Sequence, residues 1–411
     1  MKTVVLAGAL DTKAAEFAWV KALIEKQGVR TLVIDVGILG EPGFAPDISR
    51  EAVASAAGGN LDALRRGEGR GEAMEVMGRG LAKIARALYD EGALDGILGM
   101  GGSGGTTVAS AGMRALPLGL PKLMVSTVAS GDVRGFVGPA DIVMMPSIVD
   151  VAGINRISAK VYANAAAAIV GMVRGQTTPI AEERPLVAAS MFGNTTPCVD
   201  QARSLIEAHG FEVLVFHATG IGGQTMESLI SEGYIAGCLD ITTTELADEV
   251  CGGGASAGPE RCLAASRAGI PAVIAPGCVD MVNFGSLESV PEKYRGRNLY
   301  QWAPSATLLR TNIEENRRIG EMIAAAANAS TAPVALLLPL GGLSMLDSVG
   351  GAFWDPLANA ACFDAIKRGL RPDIPVLELD CNINDPSFAQ AAADTLLNLM
   401  RQSESYADAK R

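Results

Sequence analysis

Aromatic residues are scarce in this 411-residue chain, at 5%, and histidine is almost absent, with 2 residues. Cores built from stacked rings are excluded, whereas 49% hydrophobic residues and 48 glycines fit a soluble α/β protein with small-residue packing and many tight turns. Basic charge is also in deficit: 34 Lys+Arg stand against 45 Asp+Glu, a net charge of −11. That deficit argues against a sequence-independent grip on nucleic acid. No apolar run is long enough for a bilayer; Val161 to Val173 is interrupted by Asn164. The start, MKTVVLAGALDTK, reads as a first β-strand and not as a signal peptide. Seven cysteines, all after residue 190 and none spaced C-x-x-C, fit reduced thiols in a cytoplasm.

Length alone favours more than one domain. Short apolar runs alternate with segments of helical period, the pattern of repeated βα units on a parallel sheet. Strands are expected at 3–7, 31–36, 96–99, 122–126 and 142–145, and again at 186–190, 211–216, 236–239, 271–275, 334–338 and 376–379. Helices are expected at 13–27, with Phe17, Val20 and Ile24 on one face, at 71–90 and at 154–173. In the second half they are expected from Thr196 to His209 and at 259–268, 310–328, 356–368 and 386–400. The polar, proline-bounded stretch 175–185 predicts a boundary between a first domain, 1–180, and a second, 181–411. The prediction is two Rossmann-like doubly wound domains with a cleft between them. Both halves begin strand, helix, strand, a recurrence of topology at an offset of about 182. Charge divides unevenly, with 18 Lys+Arg against 17 Asp+Glu in residues 1–180 and 16 against 28 in 181–411.

The most informative motif is Asp95-Gly-Ile-Leu-Gly-Met-Gly-Gly-Ser-Gly-Gly-Thr-Thr107, a strand, a glycine loop and a helix start. Gly101, Gly102, Gly104 and Gly105 let backbone N–H groups approach an anion, the helix N-terminus adds partial positive charge, and Ser103, Thr106 and Thr107 supply hydroxyls. The first βα turn adds Asp11 or Thr12 as helix caps and Lys13 near the strand ends, where it can meet a phosphate. Asp35 ends the second strand, where an acid can accept bonds from a ribose, and Thr127 and Ser130 leave the next strand at the same edge. A solvated Lys13 and a turn Asp35 are the plain alternatives. No lysine follows the glycines and the first turn lacks G-x-G-x-x-G, so neither a P-loop nor a standard dinucleotide fingerprint is present. Gly101-Gly-Ser-Gly-Gly105 also satisfies G-x-S-x-G, which would make Ser103 a nucleophile, but both histidines, His209 and His217, lie in the other half.

In the second half, His217, Asp240, Asp280 and Asp380 fall at predicted strand ends, where convergent carboxylates could hold a divalent cation or divide into acid and base. His217, before a flexible Ala-Thr-Gly-Ile-Gly-Gly loop, is the general acid/base candidate, with Asp240 and Asp280 as its catalytic partners. Cys278 alone among the cysteines sits in a site loop, Asp355 reads as a helix cap, Asp347 is left open, and Arg310 is by default a solvated arginine at a helix start.

The motifs Leu10-Asp-Thr-Lys13, Asp35-Val-Gly37, Gly99 to Thr107, Pro146-Ser-Ile-Val-Asp150, Gly153-Ile-Asn-Arg156, His217 to Gln224, Asp240 to Leu246, Pro276 to Met281 and Pro339 to Ser344 occur in order. Together they resemble the ATP-binding module of the tomato mosaic virus resistance protein, shared with bacterial proteins, over nearly the whole chain. The resemblance implies two Rossmann-like subdomains, ATP held by the first glycine loop, and homodimers. Mg2+ is expected with the ATP, and a small polar metabolite as second ligand in the cleft. It supplies no reaction. An ATP- or phosphate-dependent enzyme, a non-catalytic nucleotide sensor or interaction module, and a sugar- or nucleotide-sugar-processing enzyme all stay open.

Overall fold

A computed structural model describes residues 1–66, 70–175 and 184–409 of the chain. Two compact units divide it, Met1–Pro179 and Ile180–Arg411. Of the boundary stretch 175–185, residues 176–183 lie outside the described residues.

Unit one is built on five parallel strands, β1 (Thr3–Gly8), β2 (Arg30–Asp35), β3 (Gly96–Gly101), β4 (Lys122–Ser126) and β5 (Val143–Pro146), in the order β2-β1-β3-β4-β5. Every residue of β1, β3 and β4 is buried, because parallel strands covered on both faces need continuous apolar runs and not alternation. On one face, Phe17, Val20 and Ile24 of the helix Ala14–Lys26 pack with Tyr162, Ala165 and Ile169 of the helix Ser158–Arg174. On the other, Val53, Met77, Leu81, Val108 and Met113 carry the helices Arg50–Ala56, Arg70–Asp90 and Ser103–Arg114. Gly8 makes the first of these contacts possible: a Cβ on it would lie 1.9 Å from Cζ of Phe17.

Unit two repeats the plan with β6 (Leu186–Met191), β7 (Glu212–His217), β8 (Ile235–Thr242) and β9 (Ala272–Gly277). Its larger sheet runs β14-β13-β9-β8-β6-β7, with β13 (Val334–Pro339) and β14 (Val376–Leu379) at the far end. In both units the first strand therefore lies between the second and third. Helices Thr196–Glu207 and Pro386–Ala409 cover one face, and the remaining helices, including Ile221–Ser231, Ile313–Asn328 and Pro356–Gly369, cover the other.

Several local expectations are corrected. The segment 281–310 forms a three-stranded antiparallel sheet, β10 (Met281–Phe284), β11 (Leu299–Ala303) and β12 (Ala306–Arg310), ordered β10-β12-β11. Arg310 ends a strand and is buried; it does not start a helix. The glycines after His217 do not form a loop, since the helix Ile221–Ser231 begins among them. The helix expected over 259–268 is confined to Ala264–Ala268. The cap before Pro197 is Thr195, with Thr196 already helical. All seven cysteines are free, and among the described residues no helix is long and apolar enough to cross a membrane.

Candidate functional site

β1 and β3 are neighbours, yet the chain leaves β1 for a helix on one face and β3 for a helix on the opposite face. Such a reversal opens a crevice at the strand carboxyl ends, the usual ligand position in open α/β sheets. Here the crevice is a cavity of about 340 Å³. Its polar side comes from Asp11, Thr12 and Lys13 after β1, Gly102 to Gly105 after β3, and Asp150 after β5. Val36, Ile38, Leu39, Met74, Met100 and Val108 supply its apolar lining.

The glycine segment is a helix start more than a loop. Gly102 is the N-cap of the helix Ser103–Arg114 and has no side chain to cap it. The first amides of a helix lack intrahelical acceptors, so those of Ser103, Gly104 and Gly105 are presented at the cavity wall. Gly101 keeps the approach close, because a Cβ there would lie 3.1 Å from Cα of Gly105. Lys13 is half-buried and its ammonium donates to the carbonyl of Val151, which ties the first turn to the chain after β5.

Not all expected contacts face this cavity. Thr106 is buried, its hydroxyl donating to the Gly102 carbonyl at 2.8 Å and sharing a 2.6 Å bond with Ser126 Oγ. Thr107 bonds back to the Ser103 carbonyl at 2.9 Å, so both threonines fasten the helix start and neither lines the cavity. Asp35 is fully buried and accepts from the amides of Leu10 (3.0 Å) and Gly37 (2.9 Å) and from Nε of Arg50 (2.6 Å), which leaves nothing for a ribose. Asp11 caps no helix. It accepts from the amides of Leu39 (2.7 Å) and Gly40 (3.3 Å) and faces Arg50 at 3.6 Å. Lys13, not Asp11 or Thr12, occupies the cap position, without a side-chain cap bond. Thr127 and Ser130 line a separate cavity of about 350 Å³ that shares Asp150 with the first.

In unit two the expected catalytic groups belong to three different settings. His217 ends an edge strand, exposed, its ring stacked on Phe192 with centroids 5.4 Å apart. Asp240 is buried and bound by Arg261, which also donates to Glu245 at 2.6 Å. Sequence reasoning missed this arginine, whose spacing from its partners follows no motif. Asp280 accepts from Ser344 Oγ at 2.8 Å, and its Oδ1 has no hydrogen-bond partner. Burial and the neighbouring Asp347 push the Asp280 carboxyl up to about 7, against the pull of Arg310. Asp347 itself is raised by burial, and Asn359 donates to it at 2.7 Å. Arg310 is no solvated arginine: it donates to the Phe353 carbonyl (2.7 Å) and to Asn359 Oδ1 (2.7 Å). Cys278 is buried at a left-handed φ of 58°, and burial raises its thiol well above the usual range, which keeps it protonated. Asp355 caps its helix as expected, accepting from the amide of Ala358. Among the described residues no group of three or more His, Cys, Asp or Glu could hold a metal ion.

Comparison with known proteins gives a family but no chemistry. A UPF0261 protein of Clostridium tetani is 48% identical over 402 residues, covering 98% of this chain and all of that protein. The ToMV resistance protein Tm-1(GCR237) of Solanum lycopersicum is 39% identical over 341 residues, covering 81% of this chain and 45% of the tomato protein. Among solved structures, the glycosyltransferase SsfS6 of Streptomyces sp. SF2575 with thymidine diphosphate aligns over 98% of this chain and 96% of that one, at 15% identity and a TM-score of 0.20. A likeness at that level carries no argument about function. The family models described as the N-terminal and C-terminal domains of the uncharacterised protein family UPF0261 match residues 2–178 and 184–400, and the chain belongs to that family.

Proposed function

We propose that unit one binds ATP in the crevice between β1 and β3. The observation that carries this reading is one cavity lined by two chemistries: uncapped helix amides with Lys13, and aliphatic and methionine side chains. The first suits a phosphate chain, because amide dipoles and an ammonium offset its charge. The second suits a purine and the apolar face of its sugar. The fold supports the placement, since the order β2-β1-β3-β4-β5 has its switch point at β1/β3. Of the carboxylates lining the cavity, Asp11 is the one that would hold a nucleotide-bound Mg2+, an ion that takes one or two protein carboxylates and completes its shell with phosphates and water.

The test is a thermal melt with a panel of nucleotides. At a hundredfold excess over Kd, ATP should add about 2.7 kcal/mol and raise Tm by roughly 5–10 °C. Gly104→Asp should fold normally, because a carboxylate in the first turn of a helix is favourable, and should lose the shift through repulsion of the phosphates. No shift with any adenine nucleotide, or a full shift in Gly104→Asp, overturns the reading.

A further inference from the structure

Beside the proposed nucleotide cavity lies a second one of about 350 Å³, lined by Thr127 and Ser130 after β4 and by residues 146–150 after β5. Asp150 lines both, and it is the only ionisable group among the residues lining the second. No lysine, arginine or histidine is there to neutralise an acid, so an anionic occupant is disfavoured and a neutral or cationic one is admitted. The hydroxyls of Thr127 and Ser130 and the Asp150 carboxylate can exchange hydrogen bonds with a molecule that carries hydroxyl groups of its own.

The backbone delivering Asp150 is unusual. The Val149 amide bonds to the Ser147 carbonyl at 2.7 Å, closing a three-residue turn with Ile148 at its centre at a φ of 65°. That left-handed conformation is costly for a β-branched residue, and turns of this hand are rare. Ile148 is 72% exposed, so side-chain burial does not account for it. Ser147 anchors the turn, its amide on the Ser126 carbonyl at 3.1 Å and its hydroxyl on the Val149 carbonyl at 2.6 Å. On the far side of Asp150, Lys13 holds the carbonyl of Val151. The acid is thus fixed from both directions, between a cavity that suits a nucleotide and one that suits a polyol. Strain kept at such a point is a mark of function.

We infer that the second cavity binds a small uncharged or amino-bearing alcohol and that Asp150 serves as general base for transfer of a phosphoryl group to it from ATP. This rests on the ATP reading above. In the step, Asp150 takes the proton of the acceptor hydroxyl. The acceptor oxygen forms a bond to the γ-phosphorus, and the bond from that phosphorus to the β,γ-bridging oxygen breaks with its electron pair leaving on ADP. The products are a phosphate monoester, ADP and a proton released from Asp150 to water. Positioning and charge stabilisation supply most of the acceleration in such transfers.

The experiment incubates the full chain with Mg2+, ATP labelled in its γ-phosphate, and separately glycerol, ribose, glucose, myo-inositol and ethanolamine. The label in phosphate ester is measured alongside the ATP-dependent change in Tm. Transfer to one or more acceptors is expected. Asp150→Asn should lower kcat by at least a hundredfold. Ser130→Leu, which fills the second cavity, should raise the acceptor KM at least tenfold. Melting curves of both variants without ligand, matching the parent protein, keep the reading independent of misfolding. Transfer to none of the acceptors while ATP still raises Tm overturns the inference and leaves the nucleotide site standing. Transfer unaltered in both variants also overturns it. No ATP shift at all removes the nucleotide reading and this one with it.

Discussion

Arg261 holds Asp240 with both terminal nitrogens, at 2.5 and 2.7 Å, and neither side chain is more than marginally exposed. The same guanidinium gives Nε to Glu245, so two buried carboxylates depend on one cation. Arg261→Met should cost about 3–5 kcal/mol, the usual penalty for leaving buried charge uncompensated. A urea titration of the full chain checks it, and a loss under 1 kcal/mol would show the cluster to be better hydrated than its burial indicates. Asp240→Asn removes charge from the same cluster. Any loss of turnover in that variant therefore has to be weighed against its melting curve before Asp240 is given a chemical role.

Gly8→Ala should destabilise unit one by roughly 1–3 kcal/mol, the range for forcing extra atoms into a packed core. The added methyl would fall on the Phe17 ring, which is fully buried in the core of unit one. Differential scanning calorimetry reads the result. A Tm equal to that of the parent protein would mean that Phe17 has a second rotamer ready.

Stability of unit two should fall as pH rises from about 4 to about 7. Burial pushes Asp280, beside Asp347, up to about 7, and burial also raises Asp248 to about 7, where the Ala255 amide and Asn283 partly offset it. In the unfolded chain both ionise near the ordinary aspartate value of about 3.9. Between those limits the folded state binds more protons than the unfolded state, so the stabilisation is complete below the unfolded value and is lost as pH passes the folded one. Each group contributes up to about 1.4 kcal/mol per pH unit in that window. Urea midpoints at pH 5 and pH 8 measure the slope, which Asp280→Asn should flatten; equal midpoints would contradict the assignment.

Ile148→Gly should stabilise unit one by about 1 kcal/mol, because relief of a strained left-handed residue exceeds the added freedom of glycine in the unfolded chain. That corresponds to a rise of roughly 2–4 °C in Tm. A fall would show that the exposed Ile148 side chain makes a contact worth more than its strain.

Both parallel sheets are legible in the sequence because each strand buried on two faces is a short apolar block, as Thr3 to Gly8 and Val334 to Pro339 illustrate. β11 is not, since Tyr300, Gln301 and Trp302 are all exposed and give neither a block nor an alternation. In the candidate site, Lys13 and Gly102 to Gly105 can be read locally, because glycine and the helix start make their own geometry. Asp35 misleads for the opposite reason: its meaning depends on Arg50, which reaches it only after the intervening chain has turned back over β2. Asp150 carries one of the motifs behind the family resemblance, yet nothing local marks it as the residue common to two cavities. That follows from the strand order, which sets β5 beside β4 and the turn after it close to the first βα turn.

The strand order has a further consequence for how the molecule is made. β1 lies inside the sheet, and the two segments that hold the candidate phosphate site leave the ribosome far apart in time, Lys13 first and Gly102 on the order of ten seconds later. Through that interval the nascent chain carries one wall of the crevice with β3 still unmade. A ligand can therefore act as a folding template only once β3 and its helix have emerged.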